Sequence, residues 1–421
     1  MRVLHVIQRY YPYLGGAERY VQEISERLVA DGHQVDLVTT DAWDWEHFWY
    51  PNKKRVDIAE ETLAGVHIRR YPVRHIPVFP SISPRLRRVM MWLSTAHAPQ
   101  SILWQLAEQS PRVPDLQRAL RNTASRYDLI HATNILFDSM DKAAFDLARA
   151  QKIPFVFTPF VHLGEKQSDW LQKFYTMRHQ LALMTQSDCV FVQTKREADF
   201  LQARGIAASK TILLGMGVTP SEISGGDAAR FRARYNIRNP IVLFVGAVAY
   251  DKGATHLLEA MKRLWADGVD ATLVLAGPAR EPFLAFIDQQ DDDVRKRCVL
   301  PGMVVGDDKR DLFAAANLFA MPSRSDAFGI VYLESWVCGL PVIGADAGGV
   351  PDVIDDGVDG FLVPFGDTVI LAERIRRLLN DPALAQKMGE RGKAKVLARF
   401  TWDRVYEDVL ANYRRLVEQR V

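Results

Sequence analysis

The chain has 421 residues, a formal net charge of +2 and 48% hydrophobic residues. That length predicts two or three domains with large buried cores, and the near balance of charge argues against a general nucleic-acid binder. Three cysteines (Cys189, Cys298, Cys338) lie far apart without metal-ligand spacing, which excludes a disulfide framework and fits a reducing, cytoplasmic setting. The opening MRVLHVIQRYYP reads as a strand followed by charge and aromatics, not as a secretion signal. No segment approaches the ~20 uninterrupted apolar residues of a membrane span.

In chain order, Val3 to Ile7 is an apolar run, and a loop with tyrosine and proline leads to Gly15-Gly16. Ala17 to Ala30 carries apolar residues at helical spacing (Val21, Ile24, Leu28), and Gln34 to Thr39 is the next strand. Strand, glycine turn, helix and strand make a βαβ unit, in which Gly15 and Gly16 could let a diphosphate approach the helix start. From Arg69 to Arg126 there are ten arginines against two acids, Glu108 and Asp115, so this region is locally cationic. Within it, Arg85, Arg87 and Arg88 sit beside Met90, Met91 and Trp92, with Trp104 and Leu106 following. That mixture suits an anionic membrane surface over 85–92 or a lipid-diphosphate acceptor, and equally a solvated helical face.

Further strands are expected at Leu129–His131, Phe155–Thr158 and Cys189–Val192, and TILLGMGV (Thr211 to Val218) ends this half. His131 and His162 both fall near strand ends, where a histidine can serve a site or simply hydrogen-bond within the fold. The turn-rich run Thr219 to Asp227 reads as a linker, which divides the chain into domains at 1–218 and 219–400. The second half opens with the strand IVLFVG after Pro240, and Ala271–Leu275 and Cys298–Leu300 supply further strands. Gly246 to Gly253 is a strand end and loop opening a helix, a phosphate cradle with Lys252 as countercharge. Asp291, Asp292 and Asp293 read as an exposed turn, and no metal site is expected.

The stretch from Pro322 to Asp367 carries the most information. Asp326 precedes AFGIV, Glu334 follows eight positions later, and the helical pattern Phe328, Val331, Tyr332, Trp336, Val337 runs to Gly339. A strand at Pro341–Ile343 and the turn Gly348-Gly349 come next. Loops bearing acids and glycines at the carboxyl edge of a parallel sheet mark a ligand crevice. Backbone amides of Phe328, Gly329 and Ile330 at the helix start would favour a diphosphate, and carboxylates beside it would need hydroxyls to accept from. The pattern therefore points to a nucleotide sugar.

This block, with GGAERYVQEISERLVADGHQVDLVTT near the start, resembles the retaining glycosyltransferases of family 4. The resemblance implies an α/β GT-B fold, two Rossmann-like doubly wound domains facing across a cleft, with a terminal helix (about 401–421) packing back on the first domain. In that tail Trp402, Val405, Tyr406, Val409, Leu410 and Tyr413 share one side. The resemblance further implies that Asp326 holds donor-sugar hydroxyls, Glu334 the ribose, and the backbone around Gly302, Met303 and Val304 the base. His162 would lie near the anomeric carbon, and Lys252 would meet the diphosphate.

Two positions depart from the family pattern. Asp326 stands where a glutamate is usual, one methylene or about 1.5 Å shorter, and Ala247 stands where an arginine follows Gly246. Arg280 or Arg324 could supply the missing cation. The expected activity is a retaining, metal-independent hexosyltransferase using a UDP- or GDP-linked sugar and no cofactor. It would act on a glycan or lipid-linked acceptor in cell-surface polysaccharide or glycolipid assembly, in the cytoplasm or at the inner face of the membrane. A nucleotide-sugar epimerase or phosphorylase on the same fold, and a degenerate sugar-nucleotide-binding protein, stay open as alternatives.

Overall fold

The computed structural model describes residues 1–13, 15–75, 82–164 and 169–420. They form two compact units: one from Met1–Val161, Asp169–Gly215 and Val405–Val421, the other from Met216–Arg404 with the short segment that begins at His162.

Among the described residues, the first unit has an eight-stranded sheet of β1 (Arg2–Val6), β2 (Gln34–Thr40), β3 (Glu60–Leu63), β4 (Val66–Tyr71), β5 (Leu129–Thr133), β6 (Phe155–Thr158), β7 (Cys189–Val192) and β8 (Thr211–Leu213). The order is β3-β4-β2-β1-β5-β6-β7-β8, parallel except for the β3–β4 hairpin. Every residue of β5, β6 and β7 is buried, because helices cover both faces of a parallel sheet, and so these strands appear in the sequence as unbroken apolar runs. In contrast β4 alternates buried and half-buried residues near the sheet edge, and no expectation was attached to it.

The second unit has β9 (Ile241–Val245), β10 (Thr272–Ala276), β11 (Cys298–Gly302), β12 (Leu318–Met321), β13 (Val342–Ala345) and β14 (Gly360–Val363) in the order β11-β10-β9-β12-β13-β14. All its pairings are parallel. Strand order reverses between β9 and β12, so the chain leaves these two neighbours in opposite directions and opens a crevice at their carboxyl ends. The loops at that crevice are 246–253 and 322–329.

The run expected as a linker, Thr219 to Asp227, holds a short helix, Pro220–Ile223, with Ile223 buried, and Asp227 caps the helix Ala228–Tyr235 by accepting from the Ala229 and Arg230 amides. Two local expectations are corrected. The helix expected from Phe328 begins at Ile330, because Gly329 adopts the left-handed capping conformation ahead of it. In the helix Ile82–Thr95, Arg87 and Met90 face inward. The Arg87 guanidinium meets both oxygens of buried Asp138 at 2.9 Å, and Met90 packs with Leu103, Ala107 and Met177.

The terminal helix spans Trp402–Glu418, and its expected apolar side is buried along its length. Within the first unit, Tyr413 bridges two buried histidines: its hydroxyl lies 3.2 Å from His5 Nε2 and 2.5 Å from His131 Nδ1. Of the two roles left open for His131, hydrogen bonding within the interior is the one observed. Its Nε2 meets Thr158 Oγ1 at 2.7 Å.

Candidate active site

Two glycines draw the crevice loops together. Gly253 has φ +82° and would drive any Cβ into the Pro322 carbonyl, so only glycine lets the Lys252 loop lie against the exit of β12. Gly348 has φ +58° and is packed as closely on the Asp326 carbonyl, to which Gly349 donates its amide at 2.9 Å. The Arg324 amide donates to the Asp251 carbonyl at 3.1 Å, and Ser325 Oγ donates to the Asp251 carboxylate at 3.4 Å. Asp326 is therefore fixed by its backbone before its side chain makes any contact.

Lys252 Nζ donates to Asp326 Oδ1 at 2.8 Å, with the two side chains only 24% and 16% exposed. Burial would raise the Asp326 carboxyl, but the Lys252 charge and hydrogen bond and the nearby Ser323 hydroxyl outweigh it and hold the group below its usual range. Burial likewise depresses the Lys252 ammonium, and Asp326 more than compensates, so it ends raised. Both groups are charged at neutral pH. Asp326 Oδ2 is buried and has no hydrogen-bond partner.

His162 Nδ1 lies 2.5 Å from the Ser325 carbonyl. A carbonyl only accepts, so Nδ1 carries the proton and Nε2 the lone pair of the neutral ring. Burial is the main cause of a lowered ring pKa, with Lys252 acting in the same direction, so the ring stays neutral at pH 7.

Glu334 stands on the helix Ile330–Val337 and is 12% exposed at its side chain. Its Oε1 accepts from Lys309 Nζ at 2.7 Å, while Oε2 is buried without a partner. Lys309 lies on the helix Gly306–Ala315 and was missed by the sequence reading, since no local spacing links positions 309 and 334. The two acids thus share one arrangement: a lysine holds one oxygen, and the second is buried without a partner.

The remaining expected residues are placed as follows. Gly246 follows β9 and donates its amide to the Ala276 carbonyl at 2.9 Å. The Gly302 carbonyl accepts from the Gly277 amide at 2.7 Å, while Met303 is exposed and Val304 half-buried. Phe328 is a core side chain packed edge-on to Phe400 at 5.6 Å, which leaves only its backbone for a ligand. Arg280 is exposed at the start of the helix Glu281–Asp288. The Arg324 guanidinium lies over Tyr250 and Phe365, at 5.6 and 5.5 Å from the ring centroids. Gly15 and Gly16 open the helix Gly16–Ala30 of the first unit. The acids at 291–293 form the start of the short helix Asp292–Lys296, where Arg295 pairs with Asp292.

Two family profiles divide the chain between them: the glycosyl transferase 4-like domain over residues 15–217 and the glycosyl transferases group 1 over residues 227–395. The chain belongs to the group 1 glycosyltransferases. This glycosyltransferase is 26% identical to an alpha-D-kanosaminyltransferase of Streptomyces kanamyceticus, over 87% of its own length and 93% of the relative's. Its fold matches a sucrose-phosphate synthase from Thermosynechococcus elongatus with a TM-score of 0.75 and 22% identity, covering 99% of both chains. It also matches Anabaena HepE solved with UDP-glucose, with a TM-score of 0.71 and 19% identity over 99% of this chain and 100% of the other. The fold is GT-B, with two parallel-sheet α/β domains.

Proposed function

We propose that this glycosyltransferase is a retaining hexosyltransferase that uses a uridine or guanosine diphosphate sugar, with no metal or further cofactor. The observation that carries the reading is the pair of carboxylates, Asp326 and Glu334, each with one oxygen on a lysine and one buried oxygen unpartnered. Buried acceptors of this kind cost free energy until a donor reaches them, and sugar and ribose hydroxyls are donors. The HepE complex with UDP-glucose supports the uridine choice.

In this reading Asp326 orients the hexose hydroxyls and Glu334 the ribose. Lys252 and the helix start at Ile330 face the diphosphate. The bond between the anomeric carbon and the phosphate oxygen breaks, and the acceptor oxygen bonds to the same face of the carbon. The acceptor's proton passes to the departing phosphate, whose negative charge Lys252 and the helix amides stabilise. Neutral His162 directs its lone-pair nitrogen toward a hydroxyl. Arg324 or Arg280 takes the place of the arginine that Ala247 replaces.

A thermal-shift panel of uridine, guanosine and adenosine diphosphates and their sugars tests the donor site. One nucleotide family should stabilise the protein, with the shift lost in Glu334→Ala and Lys252→Ala and reduced in Lys309→Met. A folded sample that responds to none of them would overturn the donor site.

The acceptor is a glycan or a lipid-linked glycan in surface polysaccharide or glycolipid assembly, met at the cytoplasmic face. No helix among the described residues is long and apolar enough to cross a membrane. Peripheral contact is supported by one exposed helix face that carries Arg85, Arg88, Val89 and Trp92, cations beside apolar groups that suit an anionic surface. Arg85→Glu/Arg88→Glu should abolish co-sedimentation with anionic vesicles. Equal sedimentation of this variant and the unaltered protein would remove the membrane from the reading.

A further inference from the structure

Glu197 is a buried carboxylate whose contacts reach beyond its own helix. Thr194 caps the helix Lys195–Gln202 by accepting from the Glu197 amide at 3.2 Å, which makes Glu197 the third residue of that helix. A glutamate there ordinarily turns back to the amide of the capping residue. Here one carboxylate oxygen accepts from the Gln193 amide and the other from the Val161 amide, both at 2.8 Å. Gln193 directly follows β7, and Val161 lies three residues past β6. Glu197 thus ties two strand exits together at the carboxyl edge of the sheet. The arrangement is unfavourable in itself: burial pushes the carboxyl up to about 7, and an apolar side chain would avoid that penalty.

The segment it holds is strained. Phe160 has φ +51°, a left-handed conformation that a bulky residue seldom adopts. The turn is fixed from both sides. Before it, the Thr158 and Pro159 carbonyls accept from the Asn134 and Ile135 amides at 2.9 and 3.1 Å. The Phe160 ring itself packs edge-on to Tyr20, with centroids 5.6 Å apart. After it, Glu197 takes the Val161 amide. The next residue is His162, whose Nδ1 donates to the Ser325 carbonyl beside Asp326. Strained backbone persists only where its surroundings over-determine it, and it clusters at functional sites. A relaxed Phe160 would turn the chain at that point and swing the His162 ring away from Ser325.

We propose that Glu197 is a positioning residue: it holds the Val161 amide so that the turn at Phe160 cannot relax and the His162 ring keeps its place beside Asp326. Its bearing on transfer rests on the role given to His162 above, while the positioning itself is independent of any donor.

Nitrogen-15 NMR of the histidine rings in the full chain tests this without a substrate. The His162 signals are identified by their loss in His162→Gln. Glu197→Leu fills a similar space and removes both acceptors, so the His162 ring should leave Ser325 and mix its two neutral tautomers. Burial is the main cause of its low pKa, so the freed ring should titrate higher, by about half a unit or more toward the ordinary value. The rings of His5 and His179, buried elsewhere in the first unit, should stay where they are. Unchanged His162 signals in folded Glu197→Leu would overturn the proposal, and so would equal shifts at His5 and His179, the mark of a structural role alone. Should that variant fail to fold, deuterium exchange on the unaltered chain decides. The Val161 amide should be as protected as the amides of β6, and rapid exchange there would overturn the proposal. Nucleotide binding is read separately by the thermal-shift panel, so a failed donor site and a failed clamp are told apart.

Discussion

Asp326→Asn should lower glycosyl transfer by about a hundredfold or more, the scale of losing one charge-assisted contact at a reacting centre, while the fold stays intact. Asparagine matches the volume, and the Asp326 backbone remains clamped by Gly349 and Ser325's neighbours. What changes is charge: Lys252 loses its counterion, and the buried Oδ2 acceptor becomes either an amide donor or a weaker acceptor. Because Asp326 is assigned to the transferred sugar, the loss should appear in kcat. Glu334→Gln touches only the nucleotide in this assignment, so it should raise the donor KM roughly tenfold with a smaller change in kcat, the signature of uniform binding. Steady-state kinetics on both variants separates the roles. Equal effects on kcat and KM at the two positions would mean that the acids do not divide the donor between them. Asp326→Glu restores the residue usual in the family and should retain measurable transfer.

The second large effect concerns pH. Ser25, His5, Tyr413, His131 and Thr158 form one buried hydrogen-bonded chain in the first unit. Neutral rings satisfy the chain, and charging one would bury an imidazolium away from water, which is what disfavours it. Burial pushes the His5 ring down to about 3 and His131 well below its ordinary value, with His5 adding to the effect. A base whose folded pKa is depressed binds protons more readily when unfolded. Its contribution is therefore complete above pH 6.5 and is lost as pH falls from there toward 3.

Glu197 opposes this. It accepts from the Val161 and Gln193 amides, yet burial pushes it up to about 7. Its own contribution therefore grows as pH falls from about 7 toward the ordinary 4.5. The overall stability profile mixes both signs, and the difference between variants isolates one of them. His5→Gln should cost about 2–4 kcal/mol at pH 7.5, the scale for unpairing a buried polar group with its neighbours. That cost should shrink by up to ~1.4 kcal/mol per pH unit below 6.5. Denaturant unfolding of the variant and the unaltered protein between pH 7.5 and 5 measures it. A cost that does not vary with pH would show that His5 is already charged or is solvated in the native state. Tyr413→Phe should destabilise at neutral pH by a similar amount, since it strips a partner from both rings at once.

Much of this molecule was legible in the chain because the signals were local. Strands buried on both faces appear as unbroken apolar runs, as in β5, β6 and β7, since helices cover a parallel sheet. Asp326, Glu334, Lys252 and Gly253 lie within a few residues of a strand end or helix start, so short-range spacing carries them. Local pattern also named the buried side of the terminal helix, because a 3.6-residue period survives whatever the helix packs on.

Tertiary structure decided what depends on partners far away in the chain. Period alone places Arg87 and Met90 on a helix but cannot say that arginine turns inward, for only Asp138, supplied by another helix, makes its burial tolerable. The same holds for Lys309 on Glu334, and for His131, whose partner Tyr413 lies 282 residues away. A buried polar group is stable only when distant residues complete it, so which oxygens are paired and which are left without a partner is settled by packing, not by composition or spacing.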